Sequence, residues 1–174
     1  LLLVTGPTSS GKTTTLYSAL AHMSDQQRKI ITAEDPIEYR LDRINQKQVT
    51  PQMPMGDLLR AMMRQNPDVV LIGEIRDLES GSTALNAAAT GHLVLGTLHT
   101  SDAVGIVTRL RGIGLDDTDV AAALLAVVGQ RLVRRVCQAC RERCEPTDGQ
   151  RQMMGGLLDG REFSRGRGCS VCRG

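Results

Sequence analysis

The feature that most constrains this chain is a glycine-rich loop between an apolar run and a helical pattern. The loop has the spacing G-x-x-x-x-G-K-[ST], follows the apolar residues Leu1 to Thr5, and precedes a helical pattern over Lys12 to Met23. Glycines at this spacing let backbone N–H groups turn inward around an anion, and the following helix points its positive end at the same place. The lysine and the hydroxyl then hold the phosphates of ATP and Mg²⁺. The predicted phosphate-binding residues are Gly6, Pro7, Thr8, Ser9, Ser10, Gly11, Lys12, Thr13 and Thr14.

Short apolar strands alternate with helical patterns along the first 130 residues. The predicted strands are Leu1–Thr5, Lys29–Ala33, Val69–Ile72 and Leu93–Leu98. The predicted helices are Lys12–Met23, Asp57–Gln65, Leu78–Ala89, Ala103–Leu110 and Val120–Gln130, and residues 36–56 are expected to form an irregular, partly extended connection. Continuous apolar strands that alternate with helices indicate an α/β fold with a mostly parallel sheet. In such sheets ligands bind at the carboxyl ends of the strands.

Three polar side chains follow predicted strands and are candidates for catalysis at that edge. Glu34 follows the second strand, Glu74 follows Val69–Ile72 and Gly73, and His99 closes the strand Leu93–Leu98. Transfer of a phosphoryl group to water requires a metal ligand and a group that orients the water, and two acids can divide these tasks. A histidine there can hydrogen-bond the γ-phosphate. The alternative is that the acids are solvated or cap helices and that His99 is structural.

Composition excludes several classes of protein. The chain has 21 Lys and Arg against 19 Asp and Glu, so its net charge of +2 does not indicate nucleic acid or membrane binding. Only three aromatic residues are present, which argues against a base-stacking surface. The longest apolar run, Val120 to Val128, is far shorter than the roughly 20 residues of a membrane-spanning helix. Residues 131–174 hold ten Arg against five acids, an excess that fits an acidic partner, lipid headgroups or simply a solvated loop.

All five cysteines lie near the carboxyl end, in a pattern that suggests a metal site. Cys137 and Cys140 form one C-x-x-C pair, and Cys169 and Cys172 form a second pair. Two such pairs together supply the four thiolates of a tetrahedral Zn²⁺ site. The alternatives are a redox pair or incidental thiols, and Cys144 either replaces one ligand or is a spectator.

Taken in order, these motifs resemble the secretion and pilus-assembly ATPases of type II secretion, type IV pilus and competence systems. The first motif, residues 6–17, resembles the Walker A segment of that family. The segment 32–39 resembles its Asp box, residues 64–77 its Walker B region, and residues 90–100 its His box. The run Gln130-Arg131-Leu132-Val133-Arg134 also matches. The resemblance covers nearly the whole chain.

This resemblance implies a RecA-like P-loop NTPase core over residues 1–136 and a small zinc-binding tetracysteine subdomain over residues 137–174. By the same resemblance, Lys12 and Thr13 hold phosphate and Mg²⁺, Glu74 is the Walker B acid, Glu34 activates water, and His99 is the His-box ligand. Arg76 lies in the Walker B motif without an assigned role. Ser9 and Ser101 stand where the family usually has Gly and Asn, so we expect an altered rate rather than lost activity.

The resemblance further implies that the sequence begins inside a longer protein. The family carries an amino-terminal domain that contributes arginines to the nucleotide pocket, and such arginines are worth about 10³–10⁵ in rate. We therefore expect the 174-residue chain alone to bind nucleotide weakly and to hydrolyse it slowly.

The function implied is ATP hydrolysis by a homo-hexameric motor on the cytoplasmic side of the inner membrane, peripheral to that membrane. The motor would power pilus or pseudopilus assembly through an inner-membrane platform protein and other assembly components, without a nucleic-acid partner. One alternative is a pilus-retraction or conjugation motor of the same superfamily, although retraction members typically lack the cysteine pairs. Another is a non-enzymatic, zinc-dependent interaction module.

Overall fold

The computed structural model describes residues 1–158 and 161–173, which fall into two compact units. One unit comprises Leu1–Leu132, and the other comprises the described residues from Val133 onward. No helix in the described part of the chain has the length and apolarity required to cross a bilayer.

The first unit is built around a six-stranded sheet whose strands all run parallel. The strands are β1 (Leu2–Thr5), β2 (Ile30–Glu34), β3 (Asn45–Gln48), β4 (Val69–Ile72), β5 (Leu93–Leu98) and β6 (Ala126–Gly129). They lie in the order β3-β2-β4-β5-β1-β6, and every neighbouring pair is parallel. The predicted α/β fold with a mostly parallel sheet is therefore confirmed.

Helices cover both faces of this sheet. They are α1 (Lys12–Met23), α2 (Met55–Met63), α3 (Leu78–Ala89), α4 (Gly105–Gly112) and α5 (Asp117–Ala123). Side chains alternate along each strand, so Leu3 packs into the core beneath α2 to α5, whereas Val4 packs with Leu16 and Leu20 of α1. Burial on both faces explains why the central strands are continuously apolar.

The structure differs from the sequence prediction at two strands. Residues Val120–Gln130, predicted to form one helix, instead form the end of α5 and then β6, which pairs with β1. The apolar run there has no helical period, and its valines at 127 and 128 favour a strand once β1 is available as a partner. The stretch 36–56, predicted to be irregular and partly extended, contains the paired strand β3, whose polar side chains give no apolar pattern.

The second unit is small and is organised by a two-stranded antiparallel sheet. Strand β7 (Arg141–Cys144) pairs with β8 (Phe163–Gly166), and the seven-residue helix α6 (Asp148–Met154) lies between them in sequence. Ion pairs cross this small sheet, including Arg165 with Glu142. Arg143 and Arg151 likewise pair with acids of the same unit, Glu162 and Glu145.

Candidate functional site

The loop between β1 and α1 has positive φ angles at three of its residues. Gly6 and Gly11 have φ angles of +150° and +84°, and Ser9 has a φ of +61°. A Cβ atom at Gly6 would lie 2.2 Å from the carbonyl oxygen of Gln130, so only glycine fits there. Ser9, which departs from the family pattern, occupies a left-handed conformation that costs a non-glycine residue roughly 1–2 kcal/mol.

Lys12 lies over this loop rather than in open solvent. Its Nζ atom donates hydrogen bonds to the carbonyl oxygens of Gly6, at 2.9 Å, and Pro7, at 3.1 Å. Burial lowers the pKa of Lys12, and the negative charge of Glu74 acts in the opposite direction. A lysine held at this place can neutralise phosphate charge.

A cavity of about 770 Å³ lies at the carboxyl edge of the sheet and collects most of the predicted site residues. Its lining includes Glu34, Glu74 and His99 together with every loop residue from Thr8 to Thr14. Gly6 and Pro7 instead line a neighbouring cavity of about 440 Å³, which shares Thr8 and His99 with the first. The topology therefore brings the predicted catalytic side chains to the phosphate-binding loop.

Glu34 ends β2 and is buried, with 3% of its surface exposed. Its carboxylate accepts hydrogen bonds from the hydroxyls of Tyr17 and Thr32 and, at 3.2 Å, from the amide of Gln46. A carboxylate has about four acceptor positions, so three are used inside the protein and one is left for a water. The hydrogen bond to Glu34 and burial both raise the pKa of Tyr17, with burial the larger cause.

Glu74 lies at the centre of a second polar group in the cavity. One carboxylate oxygen accepts a hydrogen bond from Nε of Arg76 at 2.8 Å, and the other lies 3.6 Å from Nε2 of His99. Arg76 also reaches the carboxylate of Asp35 at 3.3 Å. Arg76, which the sequence leaves without a role, thus links the ends of β2 and β4 by ion pairs.

His99 is held in place by the neighbouring backbone. The Thr5 hydroxyl donates to the carbonyl oxygen of Leu98 at 3.0 Å and accepts from the Thr100 N–H at 2.9 Å. Because Thr5 ends β1, these bonds tie the His99 segment to the strand that carries the phosphate-binding loop. His92, at the other end of β5, bonds the carbonyl oxygen of Ala87 and takes no part in the site.

Two glutamines of the site had no assigned role in the sequence analysis. Gln46 on β3 donates to Glu34, and Gln130, just after β6, donates to the carbonyl oxygen of Ser10 at 2.7 Å. Gln46 lies within β3, where the sequence predicts an irregular segment, and Gln130 follows β6, where the sequence predicts a helix. Identifying 126–129 as a strand would have placed Gln130 at the same edge as His99 and Glu74.

The second unit holds a cluster of four thiols. The sulfur atoms of Cys137, Cys140, Cys169 and Cys172 all lie within 4.8 Å of one another. Three of the sulfur–sulfur distances are 4.0, 3.8 and 3.7 Å. A tetrahedral Zn²⁺ with Zn–S bonds of about 2.3 Å has sulfur–sulfur edges of about 3.8 Å, so the donor set and its spacing fit zinc.

The fifth cysteine, Cys144, is not part of this cluster. It lies on β7, where it pairs in register with Phe163 of β8.

Burial raises the pKa of the Cys140 thiol to about 11, so a metal that binds the four-thiol cluster displaces protons.

Comparison with known proteins places the chain in a family. Residues 1–174 match the family described as Type II/IV secretion system protein. The chain is 48% identical over 179 residues to the Type II secretion system ATPase E of Vibrio cholerae serotype O1, a match that covers 99% of this chain and 35% of that protein. It is 42% identical over 179 residues to the Type IV pilus assembly ATPase PilB of Thermus thermophilus, covering 100% of this chain and 20% of that protein.

Solved structures give the same result for the fold. The pilus retraction motor PilT with bound ADP superposes with a TM-score of 0.70 and 42% identity, over 76% of this chain and 42% of that one. The chain spans about a third of the length of the Vibrio cholerae relative and a fifth of the Thermus thermophilus relative.

Proposed function

The chain belongs to the Type II/IV secretion system protein family, and we propose that it forms the ATP-hydrolysing core of a secretion or pilus motor. The observation that carries this proposal is the cavity at the carboxyl edge of the sheet that Thr8 to Thr14 of the loop share with the predicted catalytic side chains. There the phosphate-binding loop, two strand-end acids and His99 face one space of about 770 Å³. Two of the relatives that match the chain, those of Vibrio cholerae and Thermus thermophilus, are themselves named as ATPases.

In the proposed reaction each side chain has a separate task. Lys12 and the N–H groups of the loop would bind the phosphates, and Thr13 and Glu74 would hold Mg²⁺, which would supply positive charge to the phosphates. Glu34 uses its remaining acceptor position to orient the attacking water. His99, whose Nε2 atom lies 3.6 Å from Glu74, would hydrogen-bond the γ-phosphate and so respond to its loss on hydrolysis.

Zinc is the metal proposed for the four-thiol cluster. Cys137, Cys140, Cys169 and Cys172 would hold it as thiolates, and the ion would be structural because all four positions of its tetrahedron are filled by protein. This assignment also bears on the type of motor. The cysteine pairs favour an assembly motor over the retraction motor that PilT represents among the matched structures.

The proposal for the whole protein extends beyond this chain. We propose a homo-hexamer that works on the cytoplasmic side of the inner membrane, peripheral to it, and drives pilus or pseudopilus assembly through a platform protein. The resemblance and the names of the relatives support this assembly role. The chain's small net charge and few aromatics support the absence of a nucleic-acid partner.

Single-turnover hydrolysis with protein in excess over radiolabelled ATP tests the enzymatic part. Glu74→Gln keeps the size of the side chain but removes its charge, so we expect ATP binding to remain and hydrolysis to fall by at least about 10²-fold. Lys12→Ala is expected to lose binding as well. Exposed Glu145→Gln in the second unit is the matched control and is expected to change neither. Hydrolysis by the unmodified chain no faster than in a protein-free blank would favour the non-enzymatic interaction module, whereas equal hydrolysis above the blank in both proteins would show that Glu74 does not carry the reaction.

A further inference from the structure

We propose that Gln130 is a positioning residue that holds the phosphate-binding loop in the shape that receives a nucleotide. The inference rests on the proposed function only in naming nucleotide as the ligand of that loop. Gln130 itself lies outside the loop motif and follows β6, at the edge of the sheet.

Three hydrogen bonds join Gln130 to the three parts of the site that surround it. Its backbone N–H donates to the carbonyl oxygen of Thr5 at 2.8 Å, which extends the pairing of β6 with β1. Its side-chain Nε2 donates to the carbonyl oxygen of Ser10 at 2.7 Å, and its Oε1 accepts from the Thr15 hydroxyl at 2.8 Å. One residue thus connects strand, loop and helix, and its side chain joins the loop to the helix.

The bond to Ser10 fixes the direction of a peptide group that matters for phosphate binding. In a trans peptide the C=O and the following N–H point in opposite directions. Because Gln130 holds the Ser10 carbonyl on its own side, the Gly11 N–H is turned the other way. Gly11 lines the main cavity, so this N–H is available to an anion there.

The two glycines of the motif make room for Gln130. A Cβ atom at Gly6 would lie 2.2 Å from the Gln130 carbonyl oxygen, and one at Gly11 would lie 2.9 Å from Nε2. The close approach therefore needs glycine at both positions. A carboxamide is also needed, because the side chain donates at one atom and accepts at the other.

Nucleotide binding and amide hydrogen exchange of residues 6–13 together test this role. Gln130→Met has a similar shape but loses both side-chain bonds, so we expect ATP affinity to fall by about 10- to 30-fold and exchange in the loop to rise. Thr15→Val loses one bond, which is exposed to solvent, and should weaken binding by about threefold. Thr15→Ser keeps the hydroxyl, so it should bind ATP as tightly as the unmodified chain.

Gln27→Met is the matched control for the chemical change. Gln27 is exposed, and among the described residues its side chain makes no hydrogen bond, so this variant should bind ATP and exchange like the unmodified chain. The denaturant midpoint of each variant shows whether a loss of affinity is merely a loss of folding. The positioning role is supported if Gln130→Met and Thr15→Val bind ATP more weakly at an unchanged midpoint while Thr15→Ser binds it like the unmodified chain.

The two proposals fail in different ways. If the unmodified chain binds no nucleotide, the proposed function is wrong, and hydrogen exchange still decides the role of Gln130. If Gln130→Met leaves both ATP affinity and loop exchange unchanged, Gln130 does not position the loop. If Gln130→Met does not fold, Thr15→Val decides by the same two measurements, since it removes only one exposed bond.

Discussion

Replacing Tyr17 by Phe tests whether the buried hydrogen bonds around Glu34 stabilise the first unit. Tyr17 is fully buried, and its hydroxyl donates to the Glu34 carboxylate while accepting from the Gln46 amide at 3.3 Å. The variant removes one oxygen atom and leaves the ring in place. Glu34 would then remain buried with two internal donors instead of three.

The expected cost follows from the kind of bond that is lost. A hydrogen bond to an ionised group contributes about 1.5–3 kcal/mol to folding. For a domain of 150–250 residues, each kcal/mol corresponds to about 2–4 °C in the melting temperature, so a fall of roughly 3–12 °C is expected. The loss should be visible equally in the urea midpoint.

Tyr39→Phe is the matched control for this experiment. The Tyr39 ring packs edge-on against that of Tyr17, with ring centroids 4.7 Å apart, but the side chain is half exposed. Its hydroxyl donates no hydrogen bond within the described residues, so we expect a change below about 0.5 kcal/mol. If both variants lose the same stability, or if neither does, the hydrogen bond to Glu34 is not what stabilises this region.

Three further outcomes are expected from single substitutions. Cys140→Ser should remove about one zinc per chain in elemental analysis, whereas Cys144→Ser should retain it; equal zinc in both would exclude the tetracysteine site. Asp77→Ala should lower the free energy of unfolding by about 1 kcal/mol at pH 7, because Asp77 caps α3. The hydrogen bond from the Ser80 N–H lowers the pKa of Asp77 below its usual value of 3.8. The stabilisation by the cap is therefore fully present above pH 3.8 and should be lost as the pH falls through the lowered pKa. Gly6→Ala should destabilise the first unit by about 1–3 kcal/mol and abolish ATP binding, unlike Gly112→Ala, where a Cβ meets nothing within 4 Å.

The sequence predicted well the parts of the fold whose signal is local. The loop motif and the apolar strands β1, β4 and β5 each carry their own pattern, and the structure has them within a residue or two. The cysteine pairs are equally local, since each C-x-x-C contributes two ligands by itself. The fold class follows because buried parallel strands need helices on both faces.

The elements that the sequence did not predict depend on partners distant in the chain. Residues 126–129 become a strand because β1, some 120 residues away, offers an edge. Strand β3 is polar, and Gln46 is buried only because it hydrogen-bonds Tyr17 and Glu34. Propensity and periodicity do not report such pairings, so they do not predict that Gln46 and Gln130 reach the site, although the run that begins at Gln130 matches the family.

The strand order explains why chemically different groups meet at one cavity. Along the carboxyl edge the strands run β2, β4, β5, β1, which sets Glu34, Glu74, His99 and the phosphate-binding loop in that sequence. Parallel register keeps their ends level: Ala33 pairs with Ile72, Ile72 with Gly96, and Thr5 with Leu98. His99 therefore lies between the loop and Glu74 by construction. A shift in the register of β5 would separate the imidazole from Glu74 while leaving both residues at a strand end.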